Sequence, residues 1–184
     1  AYNGVPYWER EMLGAERLYI TGSSGNLACS TQGLFVVTGS KCHRLDLLTG
    51  ETRATYELPD SPGGKTRGWS YVAVEGDTLI GSASSGYNFS GTVFAYDLGT
   101  GQIKWRYDGL VIRDSTLAIQ GGKVFFAEHR GQTHVPVVLD IKAWSARNAA
   151  LKKRAVESKK DDDEEEGHDA PVVAEVTPEV KPAP

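Results

Sequence analysis

Four histidines, two cysteines and one isolated carboxylate are the residues whose types and spacing bear first on chemistry. His129 and His134 flank the segment Arg130-Gly131-Gln132-Thr133, and two imidazoles so placed can share a metal ion. No third ligand stands beside them, so they read as loop histidines and no metal site is expected. His43 falls in a strand-like run and reads as a packed residue, while His168 lies far into the C-terminal segment. Asp114, in Val111-Ile112-Arg113-Asp114-Ser115, has no second carboxylate near it in sequence. A lone loop carboxylate of this kind serves more often as a turn or cap residue than as a base. Cys29 and Cys42 form neither a CxxC pair nor a disulfide framework. They read as two half-buried thiols packed as small apolar residues, or as a disulfide if their Cα atoms come within about 7 Å. No GxSxG elbow, phosphate loop or dinucleotide fingerprint occurs, and no catalytic residue is assigned.

One segment reads as a contact surface. Ser82-Ala83-Ser84-Ser85-Gly86-Tyr87-Asn88-Phe89-Ser90-Gly91 is a longer loop between two apolar runs, and its Tyr, Phe, Asn and Ser content suits adaptable recognition. Tyr87, Asn88 and Phe89 are its candidate contact residues. Asn88-Phe89-Ser90 also fits the glycosylation pattern, which is weak by itself.

Composition narrows the partners. The chain of 184 residues has a formal net charge of −4, and its Lys and Arg residues are scattered. A nucleic-acid binder ordinarily presents a basic face, so nucleic acid is not an expected partner. No apolar run approaches the ~18 residues of a membrane span. The chain opens Ala1-Tyr2-Asn3 without Met or signal peptide, and the expectation is a fragment of a longer protein.

The elements that must position these residues show themselves as a repeat. Three units can be superposed, each an apolar strand, a glycine turn and a second apolar strand. They run through Leu27-Ala28 and Gly33–Val37, through Tyr71–Gly76 and Thr78–Gly81, and through Leu117–Gly121 and Lys123–Ala127. Their anchor alanines are evenly spaced, since 73 − 28 = 45 and 118 − 73 = 45. A second strand pair follows, Cys42 to Tyr56 in the first unit and Val93 to Tyr107 in the second. Asp46, Thr49, Gly50 and Tyr56 recur as Asp97, Thr100, Gly101 and Tyr107 at a constant offset of 51. Asp and Thr side chains pin a tight bend by bonding nearby backbone groups, and Gly supplies positive φ. Each unit therefore predicts four antiparallel strands, which is one blade of a β-propeller. In the third unit Val137-Val138-Leu139-Asp140 matches the third strand, but Ile141-Lys142-Ala143-Trp144 lacks the Thr-Gly turn, so its fourth strand is missing or displaced. Arg17–Gly22 reads as one further strand, followed by a turn through Ser23-Ser24-Gly25-Asn26.

The predicted fold is all-β, a partial propeller of about three four-stranded blades over residues 17–143. Residues 1–16 read as an irregular lead, and 144–184 as a disordered or partly helical tail or insertion. In that tail Ser145–Lys160 predicts a short helix. The six acids from Asp161 to Glu166 repel one another into a solvated spacer or, on a functional reading, a calcium or partner-docking segment. The Val-, Pro- and Glu-rich end reads as an extended linker.

The stretch Ala95-Tyr96-Asp97-Leu98-Gly99-Thr100-Gly101-Gln102-Ile103-Lys104-Trp105 fits the pattern AxDxxTGxxxW. It resembles the tryptophan-docking repeat of pyrroloquinoline-quinone (PQQ) propellers. The resemblance implies that Trp105 packs against the neighbouring blade, that Ala95 leaves room beside it, and that Asp97, Thr100 and Gly101 hold the turn. The first unit departs from the pattern, with Arg44 for the Ala and Ala54 for the Trp. Trp69 reads as inter-blade packing. The resemblance implies two uses. Quinoprotein alcohol dehydrogenases bind PQQ and calcium at the propeller centre, and Asp114 falls between blades where a residue of that centre would stand. Outer-membrane assembly lipoproteins of the BamB type use the blades only to bind proteins. The dehydrogenases carry a vicinal cysteine pair and a carboxylate cluster that this sequence lacks. The expectation is therefore a non-catalytic binding or scaffold module without cofactor, periplasmic or extracellular, joined to a protein partner or further blades. The alternative is a fragment of a PQQ-dependent dehydrogenase.

Overall fold

A computed structural model describes residues 4–15, 25–60, 68–85, 89–147 and 149. The strand proposed over 17–22 and the turn start at Ser23-Ser24 lie outside these residues, as does the tail from 150 onward.

The repeat folds into consecutive antiparallel blades. The first holds β1 (Leu27–Ser30), β2 (Gly33–Thr38), β3 (Lys41–Leu45) and β4 (Thr52–Glu57), in that spatial order. The second holds β5 (Gly68–Glu75), β6 (Thr78–Ser84), β7 (Phe89–Asp97) and β8 (Ile103–Arg113), and the third β9 (Ala118–Gln120), β10 (Lys123–Arg130) and β11 (Thr133–Asp140). The anchor alanines 28, 73 and 118 fall in β1, β5 and β9, the first strand of each blade. The far end of β8 meets β10 at Ile112 opposite Glu128, which joins the second and third blades into one hydrogen-bonded sheet.

The two Asp-Thr-Gly turns are built alike. Asp46 Oδ1 accepts from the backbone N–H of Leu48 and Thr49 at 2.9 and 3.0 Å, and Asp97 Oδ1 from Gly99 and Thr100 at 2.9 and 2.8 Å. Gly50 and Gly101 hold φ near +69° and +70°, where a side chain would be strained. These contacts and Lys104 hold the Asp97 carboxyl down to about 2: the Thr100 N–H contributes most, ahead of Lys104.

Side chains alternate across the second blade and bury both of its faces. Phe94, Tyr96, Leu79 and Trp69 join Phe35, Val37, Cys42 and Tyr56 of the first blade. Val93, Ala95, Ile80 and Trp105 join Leu117, Val124, Phe126 and Leu139 of the third. The motif tryptophan thus packs on the next blade, with Ala95 directly opposite it in the ladder. Trp69 lies within β5, whose strand starts three residues before Tyr71, and plugs the other junction. Its ring meets Phe94 edge-on at 4.8 Å, and its indole N–H donates to Ser40 O at 3.1 Å. A Cβ on Gly81 would come within 2.3 Å of that indole, so the plug requires glycine there. In the first blade the matching pair is Arg44 opposite Ala54, and Arg44 Nε donates to Gln32 O at 2.8 Å.

The lead segment docks although its sequence has no pattern. Trp8 lies over Gly50, where a Cβ would meet its ring at 2.7 Å, and its indole N–H donates to Leu47 O at 3.0 Å. At the other end, the third blade stops at three described strands. Asp140 Oδ1 accepts the Ala143 N–H at 3.0 Å, an N-cap contact, and residues 141–147 are helical. The helix begins four residues before the expected Ser145 because this cap starts it. Trp144 then turns back onto β8, donating to Arg106 O at 2.8 Å and packing on Tyr107. Among the described strands β11 is the edge of the sheet, and Pro136 in it has no N–H to offer a pairing strand.

Candidate functional site

The linker from β8 to β9 gathers the polar residues. Asp114 opens a single 3₁₀ turn, Asp114–Thr116, and is 1% exposed. Its Oδ1 accepts from Ser90 at 2.5 Å and Ser82 at 3.0 Å, and its Oδ2 from Ser70 at 2.6 Å. Ser90 also reaches Ser82 at 2.8 Å. The serines stand on β5, β6 and β7, so one carboxyl ties the crossing to three strands of the blade it leaves. Burial pushes the Asp114 carboxyl above its ordinary value, and the three hydroxyls pull only partly against that.

A second buried acid sits beneath the same end. Glu128 accepts from the Leu110 N–H at 2.8 Å, Tyr107 Oη at 3.1 Å and Arg130 Nε at 2.7 Å. Burial works to raise its carboxyl, but these donors outweigh burial and hold it below the ordinary range. Gly109 leaves the room, since a Cβ there would fall 2.5 Å from Glu128 Oε1.

Above them lies a surface cluster. Arg113 spreads over the Phe89 ring, 4.5 Å from its centre, directly across the β7–β8 ladder. Its Nε donates to His134 Nε2 at 3.4 Å. His134 faces His129 across the β10–β11 ladder with ring centres 4.9 Å apart. Arg130 ends β10 and Thr133 opens β11, one residue beyond each histidine, so the turn is two residues, Gly131-Gln132, rather than the four-residue loop expected. Among the described residues no carboxylate lies within ion-pair distance of Arg113, and its terminal amino groups make no hydrogen bond.

The expected contact loop is therefore shorter than its composition suggests. Ser82, Ala83 and Ser84 belong to β6, and Phe89, Ser90 and Gly91 to β7. Polar strand residues whose hydroxyls point inward to Asp114 resemble a loop in sequence. Phe89 is the first residue of β7, not a loop tip, while Tyr87 and Asn88 lie outside the described residues. The docking residues Ala95, Asp97, Thr100, Gly101 and Trp105 stand together at the second turn and the junction behind it. The Trp105 indole N–H, buried with its ring, finds no partner among the described residues. His43 is half-buried between Thr38 Oγ1 at 2.8 Å and Thr55 Oγ1 at 3.3 Å. Both thiols are free. They are unequal rather than both half-buried, with Cys29 exposed and Cys42 buried, and burial pushes the Cys42 thiol up to about 12.

Two other features bear on chemistry. An open depression of about 480 Å³ on the first blade is lined by Gln32, Arg44, Asp46, Leu48 and Arg53. Its charges are already engaged: Arg53 with Asp46 and Glu51, and Arg44 with the Gln32 carbonyl. Among the described residues no three His, Cys, Asp or Glu side chains gather closely enough to hold a metal ion. Asp114 and Glu128 are each enclosed by their own protein donors, three hydroxyls for Asp114 and Leu110, Tyr107 and Arg130 for Glu128.

The fold is an all-β set of antiparallel propeller blades. No protein-family model and no curated protein matches the chain. Among solved structures it is similar to the computationally designed Ika4 protein, at 21% identity and TM-score 0.47, over 62% of this chain and 64% of that one. It is similar to the designed Ika8 protein at the same identity and TM-score, over 62% and 32%. BamB from Moraxella catarrhalis aligns at 15% identity and TM-score 0.41, over 73% and 43%. The chain thus spans less than two thirds of each of these structures.

Proposed function

We propose that this chain is a non-catalytic protein-binding module made of propeller blades, and that its partner meets the end formed by Phe89, Arg113, His129 and His134. One observation carries the reading: the buried carboxylates are spent on joining strands, whereas Arg113 faces outward with no carboxylate counter-ion among the described residues. A cation held over an aromatic ring is positioned at little entropic cost. The resemblance to PQQ-type repeats supports the same use, and with it a periplasmic or extracellular setting.

A photo-crosslinking residue tests this. Benzoylphenylalanine in place of Gln132, on the exposed turn between the histidines, is expected to capture a protein from a native extract. The same residue in place of the exposed Leu48 is expected to capture none. Equal capture at both positions, or none at either, would overturn the assignment. Saturable quenching of tryptophan by PQQ with calcium, beyond calcium alone, would overturn its non-catalytic part.

A further inference from the structure

We infer that the Arg113–His134–His129 cluster is a receptor for one carboxylate side chain of the partner. The inference rests on the protein-binding reading and assigns the chemistry of its contact. Arg113 presents a planar fork, and its two terminal amino groups are unused among the described residues. Two parallel N–H donors match the two oxygens of a carboxylate. Phe89 supports the fork, with the guanidinium carbon 4.5 Å from the ring centre.

The histidines complete the receptor. His134 Nε2 lies 3.4 Å from Arg113 Nε, which sets the imidazole beside the fork. His129, directly across the ladder, adds a second imidazole beside it. Arg113 supplies the one permanent charge of the cluster. The neighbouring charges do not add to it, because Arg130 pairs with Glu128 at 2.6 Å. A single guanidinium balances a carboxylate and leaves a phosphate dianion undercompensated. The chain's formal charge of −4 further opposes polyanions. The same Arg beside the histidine pair opposes a divalent cation there.

The test uses the full chain and three probes: a capped Ala-Ala-Glu-Ala-Ala peptide, its Gln twin, and inorganic phosphate. NMR follows the Arg113 Nε–H cross-peak and the His134 ring. The Glu peptide is expected to shift both saturably, with a dissociation constant on the order of millimolar, as for a single exposed contact. Arg113→Gln, with its fold checked by circular dichroism, is expected to weaken binding by at least about tenfold, and Arg113→Lys, which keeps the charge and loses the fork, by a smaller factor. An equal response to the Gln twin, no saturation, tighter binding of phosphate, or full affinity in Arg113→Lys would each overturn the inference. Crosslinking through position 132 that persists while the Glu peptide fails removes this inference alone. Loss of both removes the protein-binding reading as well.

Discussion

Trp69 and Trp105 offer a matched pair for measuring what holds the blades together. Each is 3% exposed, and the two plug opposite faces of the second blade. They differ in one respect: the Trp69 indole donates to Ser40 O at 3.1 Å, and the Trp105 indole N–H has no partner among the described residues. Replacing either by Ala removes a large buried ring and is expected to cost about 3–5 kcal/mol. Replacement by Phe removes similar volume at both sites, so the difference between the two Phe variants isolates the hydrogen bond. Trp69→Phe removes one of the two donors to the Ser40 carbonyl, which keeps the Leu58 N–H at 2.8 Å, and is expected to cost about 1 kcal/mol more than Trp105→Phe. Trp105→Phe also deletes a buried donor that is costly to leave unmade, which widens the gap. Urea unfolding followed by far-ultraviolet circular dichroism reads this directly. With m of about 1–3 kcal/mol/M, the two midpoints should separate by about 0.3–1 M. Equal midpoints, or a lower midpoint for Trp105→Phe, would refute the account of the two junctions. A Trp105→Ala variant costing under about 1 kcal/mol would refute the docking role itself.

Asp114 and the thiols give two further tests. The folded-state Asp114 carboxyl is raised, so its stabilising contribution is full below the unfolded value of 3.8 and declines as pH rises through the folded value. Asp114→Asn removes that decline. Its stability relative to the native chain should therefore increase as pH rises from 3 to 7 in urea melts, and a pH-independent difference would refute the assignment. At pH 8 a thiol reagent should modify the exposed Cys29 quickly and Cys42, pushed up to about 12, only on unfolding. Mass spectrometry showing equal labelling of the folded chain would count against the packing drawn for β3.

The repeat was legible because turn chemistry is local. Asp46, Thr49 and Gly50 act within one bend, as do Asp97, Thr100 and Gly101, so their spacing survives as a pattern. The serine cage was hidden for the opposite reason. Ser70, Ser82 and Ser90 stand on three strands and meet Asp114 only in space, and hydroxyls in strands look like loop composition. Arg113 carried no signal at all, because its meaning depends on Phe89 and His134, 24 and 21 residues away in opposite directions along the chain. The docked Trp8 was missed likewise, since its partner turn begins 38 residues later at Asp46.

The period of the repeat also explains why the candidate surface lies where it does. The step that separates Ala73 from Ala118 relates Trp69 to Asp114 and Gly68 to Arg113, since 114 − 69 and 113 − 68 both equal 45. At the first junction this dipeptide is packed against the preceding blade. The Trp69 N–H donates to Gly39 O at 2.9 Å, and a Cβ on Gly68 would fall 2.8 Å from the same oxygen. No side chain fits there. At the second junction β8 runs on to pair with β10 at Ile112 opposite Glu128, and Arg113 stands over Phe89, the first residue of β7. The glycine position is then free to carry a long side chain, and the buried plug becomes a carboxyl satisfied by three hydroxyls from its own blade. The same structural step yields a closed apolar joint once and, one blade later, a polar joint that turns an arginine outward. A surface for recognition can thus arise at a blade junction without altering the strands that form the core.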